Sequence, residues 1–251
     1  MKKFIPLFAG FLMVSLLSGQ TGFEIAKALQ EKVKPRDMKA NLKMILTNTA
    51  GKTRTSEIRS ITLEDGKKQI IWFLSPKDDR GVSFLKIEHE GKDDEMRLWL
   101  PAFKKVRRIS SKKKGDSFMG SDMSYEDMTN RDLDDYTYEL EGRKIVDGQE
   151  CYILISRPKP KLRSTYSYHK TWITVDELNI VKEESYDRSQ QLIKTKRIRI
   201  HRMGKYTLPQ EIFVKNVQKN HSTLLTFDNI EVDTGVKESL FQEKYLKRLP
   251  Q

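Results

Sequence analysis

The chain has 251 residues, a formal net charge of +12 and one cysteine, Cys151. One cysteine excludes an internal disulfide, so the fold must rest on its core and its backbone ladder. The cationic excess points to anionic partners, and the length suits a single domain.

Lys2 and Lys3 precede an uncharged apolar run from Phe4 to Leu17, followed by the small and polar residues Ser18 to Gly22. This is the pattern of a secretory signal peptide over residues 1–20, leaving one domain over 21–251. The run is shorter than the roughly 18 to 20 apolar residues that a membrane-spanning helix needs, and it contains Pro6. A lipid anchor would need a cysteine just after this run, and the only cysteine is Cys151, so the exported protein is expected to be unanchored. Loss of Lys2 and Lys3 lowers the charge from +12 to +10. Cys151 reads as a small buried apolar residue in the run Cys151 to Ile155.

Residues 21 to 34 place Phe23, Ile25, Ala26, Leu29 and Val33 close to i, i+3, i+4 spacing, with Thr21 as N-cap ahead of Glu24. The spacing predicts one amphipathic helix ending before Pro35. From residue 38 onward the chain turns to β-branched and aromatic runs separated by turn signals such as Asp65-Gly66 and Asp147-Gly148. Strands are predicted at Lys39 to Asn48, Lys52 to Leu63, Lys68 to Leu74, Val82 to Glu88, Glu95 to Leu100, Lys104 to Ile109, Tyr136 to Arg143 and Glu150 to Arg157. His169 to Val175, Ile180 to Asp187, Gln191 to Met203, Gln210 to Asn216 and His221 to Val232 complete the meander, and Asp233 to Leu240 reads as a turn and short helical tail. Around Ile198 and Ile200 the basic residues Lys196 to Arg202 imply one apolar and one cationic face. Ile70 to Leu74 is apolar on both faces, so something covers both sides of the sheet there; the helix is the candidate cover. Two-sided apolar strands in one antiparallel sheet suggest a strongly curved sheet or open barrel, and a two-sheet sandwich would give a similar pattern.

Residues 101 to 132 break the meander. Seven basic residues lie between Lys104 and Lys114, namely Lys104, Lys105, Arg107, Arg108, Lys112, Lys113 and Lys114. Phe118, Met119, Met123, Tyr125 and Met128 follow, spaced by glycines and small polar residues. Three readings compete: a long solvated hairpin, a phosphate-binding nucleic-acid patch, and a mobile lid over a lipid-sized pocket with cations for anionic head groups. Export argues against nucleic acid, as does the lack of aromatics among the lysines.

Catalytic signatures are absent from the sequence. His89, His169, His201 and His221 lie far apart, and His89-Glu90 has no second histidine at zinc-motif spacing. Gly115-Asp116-Ser117-Phe118 has a hydrolase-like order, but no histidine has an aspartate three residues before it. Asp132, Asp134 and Asp135 lack the glycine of a calcium loop. A protein that is not an enzyme, with no metal and no cofactor, is expected.

Trp-Phe-Leu-Ser-Pro-Lys-Asp-Asp-Arg-Gly-Val-Ser-Phe-Leu at 72 to 85, Leu-Trp-Leu-Pro-Ala-Phe-Lys-Lys-Val-Arg-Arg-Ile at 98 to 109 and Phe-Met-Gly-Ser-Asp-Met-Ser-Tyr-Glu-Asp-Met at 118 to 128 resemble the LolA/LolB-like outer-membrane lipoprotein-sorting proteins. The branch most similar is the one often encoded beside transporters of the resistance-nodulation-division (RND) class. The resemblance implies a mainly β fold, a half-open barrel made of a single strongly curved antiparallel sheet, with an N-terminal helix and short lid elements enclosing a hydrophobic cavity. It implies a periplasmic carrier that binds acyl chains of lipids or lipoproteins and passes them towards the outer membrane. An inner-membrane transporter and an anionic membrane surface would be its partners. Burying acyl carbon is worth roughly 0.8 kcal/mol per methylene, so apolar walls suffice. The candidate wall residues are Trp72, Phe84, Leu98, Leu100, Phe118, Met119, Met123, Tyr152, Trp172 and Phe213; for any one of them plain core packing is the commoner role, because large aromatics dominate ordinary cores too. The seven cations from Lys104 to Lys114 are the candidates for head-group or partner contact. The alternative is a non-carrying module that docks on an envelope transporter.

Overall fold

The computed structural model describes residues 21–250, so the signal-peptide expectation falls outside the described residues. Helix α1 is Gly22–Gln30, and strands β1 to β6 are Asp37–Thr47, Thr53–Leu63, Lys68–Ser75, Ser83–Ile87, Glu95–Leu100 and Lys105–Arg108. Strands β7 to β13 are Tyr136–Val146, Gln149–Pro158, Tyr166–Thr174, Ile180–Asp187, Leu192–Met203, Tyr206–Asn216 and His221–Val232, and a short helix α2, Glu243–Leu246, follows. Each predicted strand has its counterpart, with bounds moved by a few residues. No helix among the described residues is long and apolar enough to cross a membrane.

The thirteen strands form one antiparallel sheet in the order β6-β5-β4-β3-β2-β1-β13-β12-β11-β10-β9-β8-β7. Its two edges, β6 and β7, are consecutive in sequence and do not pair, so the sheet is not closed. The residues between them, 109–135, must therefore cross the whole sheet, and they do so over one face. Along this strap, Phe118 meets Phe84 of β4, Asp122 meets Thr223 of β13, Asp127 meets Lys194 of β11 and Arg131 meets Glu183 of β10.

The same contacts show that the sheet curves. Lys86 of β4 donates to the Met128 carbonyl at 2.6 Å, and Lys194 of β11 reaches Asp127 at 2.5 Å. β4 and β11 are six inter-strand steps apart in the sheet order, about 29 Å if the sheet were flat. Side chains standing off a flat sheet would not meet adjacent residues across that span, so the sheet wraps around the strap.

Thr21 and Glu24 form the predicted capping box. The helix ends at Gln30, before the expected limit at Pro35, because Val33 finds no surface to pack on and remains exposed. Nor does α1 cover Ile70 to Leu74. Ile25 and Ala26 are buried against Tyr152, Leu154 and Ile173 near the opposite edge. A Cβ on Gly22 would lie 2.8 Å from the backbone of Glu139 and Leu140, so glycine permits this close approach. The two faces of β3 have two other covers. Ile71 and Phe73 lie under the strap, while Ile70 and Trp72 lie under the C-terminal segment through Phe241 and Leu246. Asp37 anchors that segment by accepting from the backbone N–H groups of Thr234, Gly235 and Val236 at 2.9 to 3.1 Å.

Candidate functional site

The strap-covered inner face has two chemically distinct halves. Antiparallel register places Ile58 opposite Phe73, Ile71 opposite Phe84 and Phe84 opposite Leu98 on one side, and Met44 opposite Leu225 further along. These residues form the largest buried apolar cluster, together with Leu46, Val82, Met96, Ile109, Phe118 and Tyr125. Phe118 packs on Phe84 with ring centroids 5.2 Å apart and on Tyr125 at 5.7 Å. Met119, Met123 and Met128 are partly buried against the cluster, and the cover over it is therefore irregular chain rich in thioethers that adapt to what they touch.

Beyond it, on β9 to β11, the same face is charged. Glu183 accepts a forked pair of bonds from Arg131, 2.6 and 3.1 Å, and a third bond from Lys196 at 2.9 Å. Lys194 donates to Asp127 and to the Tyr166 hydroxyl, each at 2.5 Å, while that hydroxyl donates to Asp127 at 2.9 and 3.0 Å. Burial by itself would raise the Asp127 carboxyl, but the charges of Lys194 and Lys196 and the Lys194 hydrogen bond bring it down to about 2. Glu183 is held well below the usual carboxylate range, its burial outweighed by Arg131 and Lys196. Burial and then the Arg131 charge push the His169 imidazole down to about 3. Arg131 can only donate, so His169 Nδ1, 3.2 Å away, accepts and the ring proton resides on Nε2. Burial and the nearby Asp127 raise the Tyr166 phenol, which therefore stays a donor.

A polar latch holds the strap at the boundary between the halves. Asp122 Oδ2 is 2.7 Å from both Thr223 Oγ1 and His221 Nδ1. Ser117 of the hydrolase-like string donates to the Ser121 carbonyl at 2.5 Å within the strap.

Of the ten expected wall residues, Phe84, Leu98, Leu100, Phe118, Met119 and Met123 come together in the apolar half. Tyr152 shares the face but packs under α1. Trp72, Trp172 and Phe213 do not join them, because strand alternation sends each to the outer face. Trp72 lies under the C-terminal segment and donates through Nε1 to the Tyr245 carbonyl at 3.2 Å. Trp172 packs with the fully buried Cys151 and Ile153 beneath the Lys182 ammonium, 4.1 Å from its ring centre. Phe213 lines a shallow outer groove with Val146 and Val181.

The inner face expected to wall an open apolar hollow is covered by the strap. A separate open cleft of about 2130 Å³ has many charged side chains in its lining, among them Glu88, Asp94, Glu126, Asp132, Lys67 and Lys114. Of the seven expected cations, Lys114 pairs with Asp94 at 2.7 Å. Lys104, Lys105, Arg107 and Arg108 are exposed on the β5–β6 hairpin beside Phe103, which is 72% exposed, and Lys112 and Lys113 are exposed on the strap.

Sequence reasoning missed the charged half. The cue was present as polar pairs at i, i+2 on three successive strands: Lys194 with Lys196, Glu183 with Ser185, and His169 with Thr171. Register aligns them into one stripe. Lys196 and Ile198 thus share the inner face, and the cationic outer face is carried by Arg197 and Arg199, a correction to the simple two-face reading. Among the described residues no group of three or more His, Cys, Asp or Glu is placed to hold a metal ion.

A family model described only as an uncharacterized protein matches residues 65–248. No curated protein matches the chain. Among solved structures, a domain described as outer membrane lipoprotein-sorting, from Vibrio parahaemolyticus, is 31% identical with a TM-score of 0.85, covering 90% of this chain and 98% of that one. A DUF1329 family protein from Desulfovibrio piger is 29% identical with a TM-score of 0.85, covering 90% and 97%. A LolA superfamily protein from Nitrosomonas europaea shares the fold at 16% identity, with a TM-score of 0.72 and coverage of 90% and 100%.

Proposed function

We propose that this chain, which belongs to the family of outer membrane lipoprotein-sorting proteins, is a periplasmic carrier of acyl chains. The observation that carries the reading is the cover over the apolar half: its largest buried cluster is closed by mostly irregular chain, Phe118 to Met128, whose one helical piece is the single 3-10 turn Glu126–Met128, and not by an α-helix or a second sheet. Lifting this segment would expose the flanks of Phe73, Phe84, Leu98 and Leu225, and acyl methylenes would replace the Phe118, Met119 and Met123 contacts. Each methylene buried there contributes roughly 0.8 kcal/mol, so about ten match the loss of several core contacts.

In this reading the cargo passes from an inner-membrane transporter of the RND class towards the outer membrane. The β5–β6 hairpin meets anionic lipid through exposed Phe103 and the cations Lys104, Lys105, Arg107 and Arg108, with Lys112 and Lys113 adjoining it on the strap. The residues with a carrying role are Phe84, Leu98, Leu100, Phe118, Met119 and Met123; no chemical step is assigned to any side chain.

The test locks the strap. Asp122 and Thr223 touch, so a disulfide in the double variant Asp122→Cys/Thr223→Cys should block uptake of a fluorescent fatty acid, with reduction restoring it. Uptake undiminished by the lock would remove the lid role. The second reading, a non-carrying module docked on a transporter, is favoured by the strap packing on the apolar cluster. It predicts no uptake in either redox state and no lipid in native mass spectra of protein purified from the envelope.

A further inference from the structure

An acyl-chain reading leaves the charged half of the inner face unused. The Asp127 carboxylate is bound there by Lys194, by the Tyr166 hydroxyl and by the Ser124 N–H at 2.7 Å. Its side chain is 5% exposed and that of Lys194 11%, so the pair is shut off from water. In the same short stretch of chain, Phe118 and Tyr125 cover Phe84. One continuous segment thus presents apolar bulk to the greasy half and a single carboxylate to a buried lysine. That is the outline of an anionic amphiphile.

We propose that the cargo carries an anionic head group, a phosphate or carboxylate, that Lys194 and Tyr166 are its ligands, and that Asp127 is its internal stand-in while the strap is down. The proposal rests on the carrier reading and names its substrate class. If the strap lifts, Asp127 leaves with it and Lys194 loses its counter-ion beside Lys196, whose own partner, Glu183, stays on the sheet. A buried charge stripped of one partner is strongly unfavourable. A neutral amphiphile fills the apolar half but leaves that charge unmatched, whereas an anionic one restores a charge-assisted bond to Lys194 and a second bond to the Tyr166 hydroxyl.

The experiment compares dodecyl phosphate, dodecanoate, dodecanol and inorganic phosphate by calorimetry on the full mature chain. Both anionic amphiphiles should bind about tenfold tighter than dodecanol or better, a ratio ascribed to one buried charge-assisted contact, and inorganic phosphate should not bind. Asp127→Asn, which removes the competing carboxylate, should widen that ratio, an effect that a merely structural Asp127 would not produce. Lys194→Met should abolish the preference; because it strands Asp127, the double variant Asp127→Asn/Lys194→Met, in which neither charge remains, is measured alongside. Equal affinity for dodecanol and the anionic chains in the wild-type protein would overturn the head-group assignment and leave the carrier reading intact. A preference surviving in the double variant, or tight binding of inorganic phosphate alone, would overturn the role of Lys194 in holding amphiphiles. No binding of any twelve-carbon ligand would take down both readings together.

Discussion

The two halves of the inner face lie under the same strap but are held by different physics. Around Phe84 the strap is an apolar lodger: Phe118 and the methionines gain from burial that another hydrocarbon could supply equally well. Around Glu183 and Asp127 it is a counter-ion, and only a group of the right charge in the right place can take its position. In physical terms the apolar half could exchange one hydrocarbon cover for another, whereas the charged half could not exchange its counter-ions for neutral groups.

The strongest way to break this comparison is at Glu183. Glu183→Ala leaves the half-buried Arg131 and Lys196 without the buried carboxylate they share and should cost roughly 3 kcal/mol of unfolding free energy in denaturant titration. A loss below about 1 kcal/mol would mean that water reaches the charged half and that the contrast is false.

Acid sharpens the contrast next. The imidazole of His169 is held at about 3 in the folded chain against an ordinary 6.5, so below pH 6.5 the unfolded chain takes up a proton that the folded one refuses. The stability from neutral His169 is complete above pH 6.5 and declines as pH falls towards 3, by about 1.4 kcal/mol per pH unit. Asp127 acts in the same direction lower down, its contribution present above 3.8 and lost towards about 2. His169→Gln should flatten the upper part of this profile, measured by thermal melts; an unchanged slope would place the acid sensitivity elsewhere.

The smallest expected effect lies outside both halves. Phe103→Ser on the hairpin should leave stability within about 0.5 kcal/mol, as exposed positions do, yet lower co-sedimentation with phosphatidylglycerol vesicles at low salt. Vesicle binding equal to that of the wild-type chain would separate the hairpin from any membrane role.

The sequence by itself determined the strands and their faces. Alternation and turn chemistry act within a few residues, which is why each run from Lys39 to Val232 became the strand it resembled, and why Phe84 and Leu98 were legible as apolar strand positions, whereas Phe118 stood out only by the composition of the strap. Alternation also put Trp72 and Phe73 on opposite faces, while only the covers decided which of them lies under the strap. What only the tertiary structure decided is which segment covers which face. That choice depends on β6 and β7 being opposite edges of one sheet, which forces residues 109–135 across it and brings Asp127 to Lys194 and Arg131 to Glu183 over sequence separations of 67 and 52 residues. A lone charge in a sequence reads as solvated, because nothing local reveals a counter-ion that arrives from the far side of the fold.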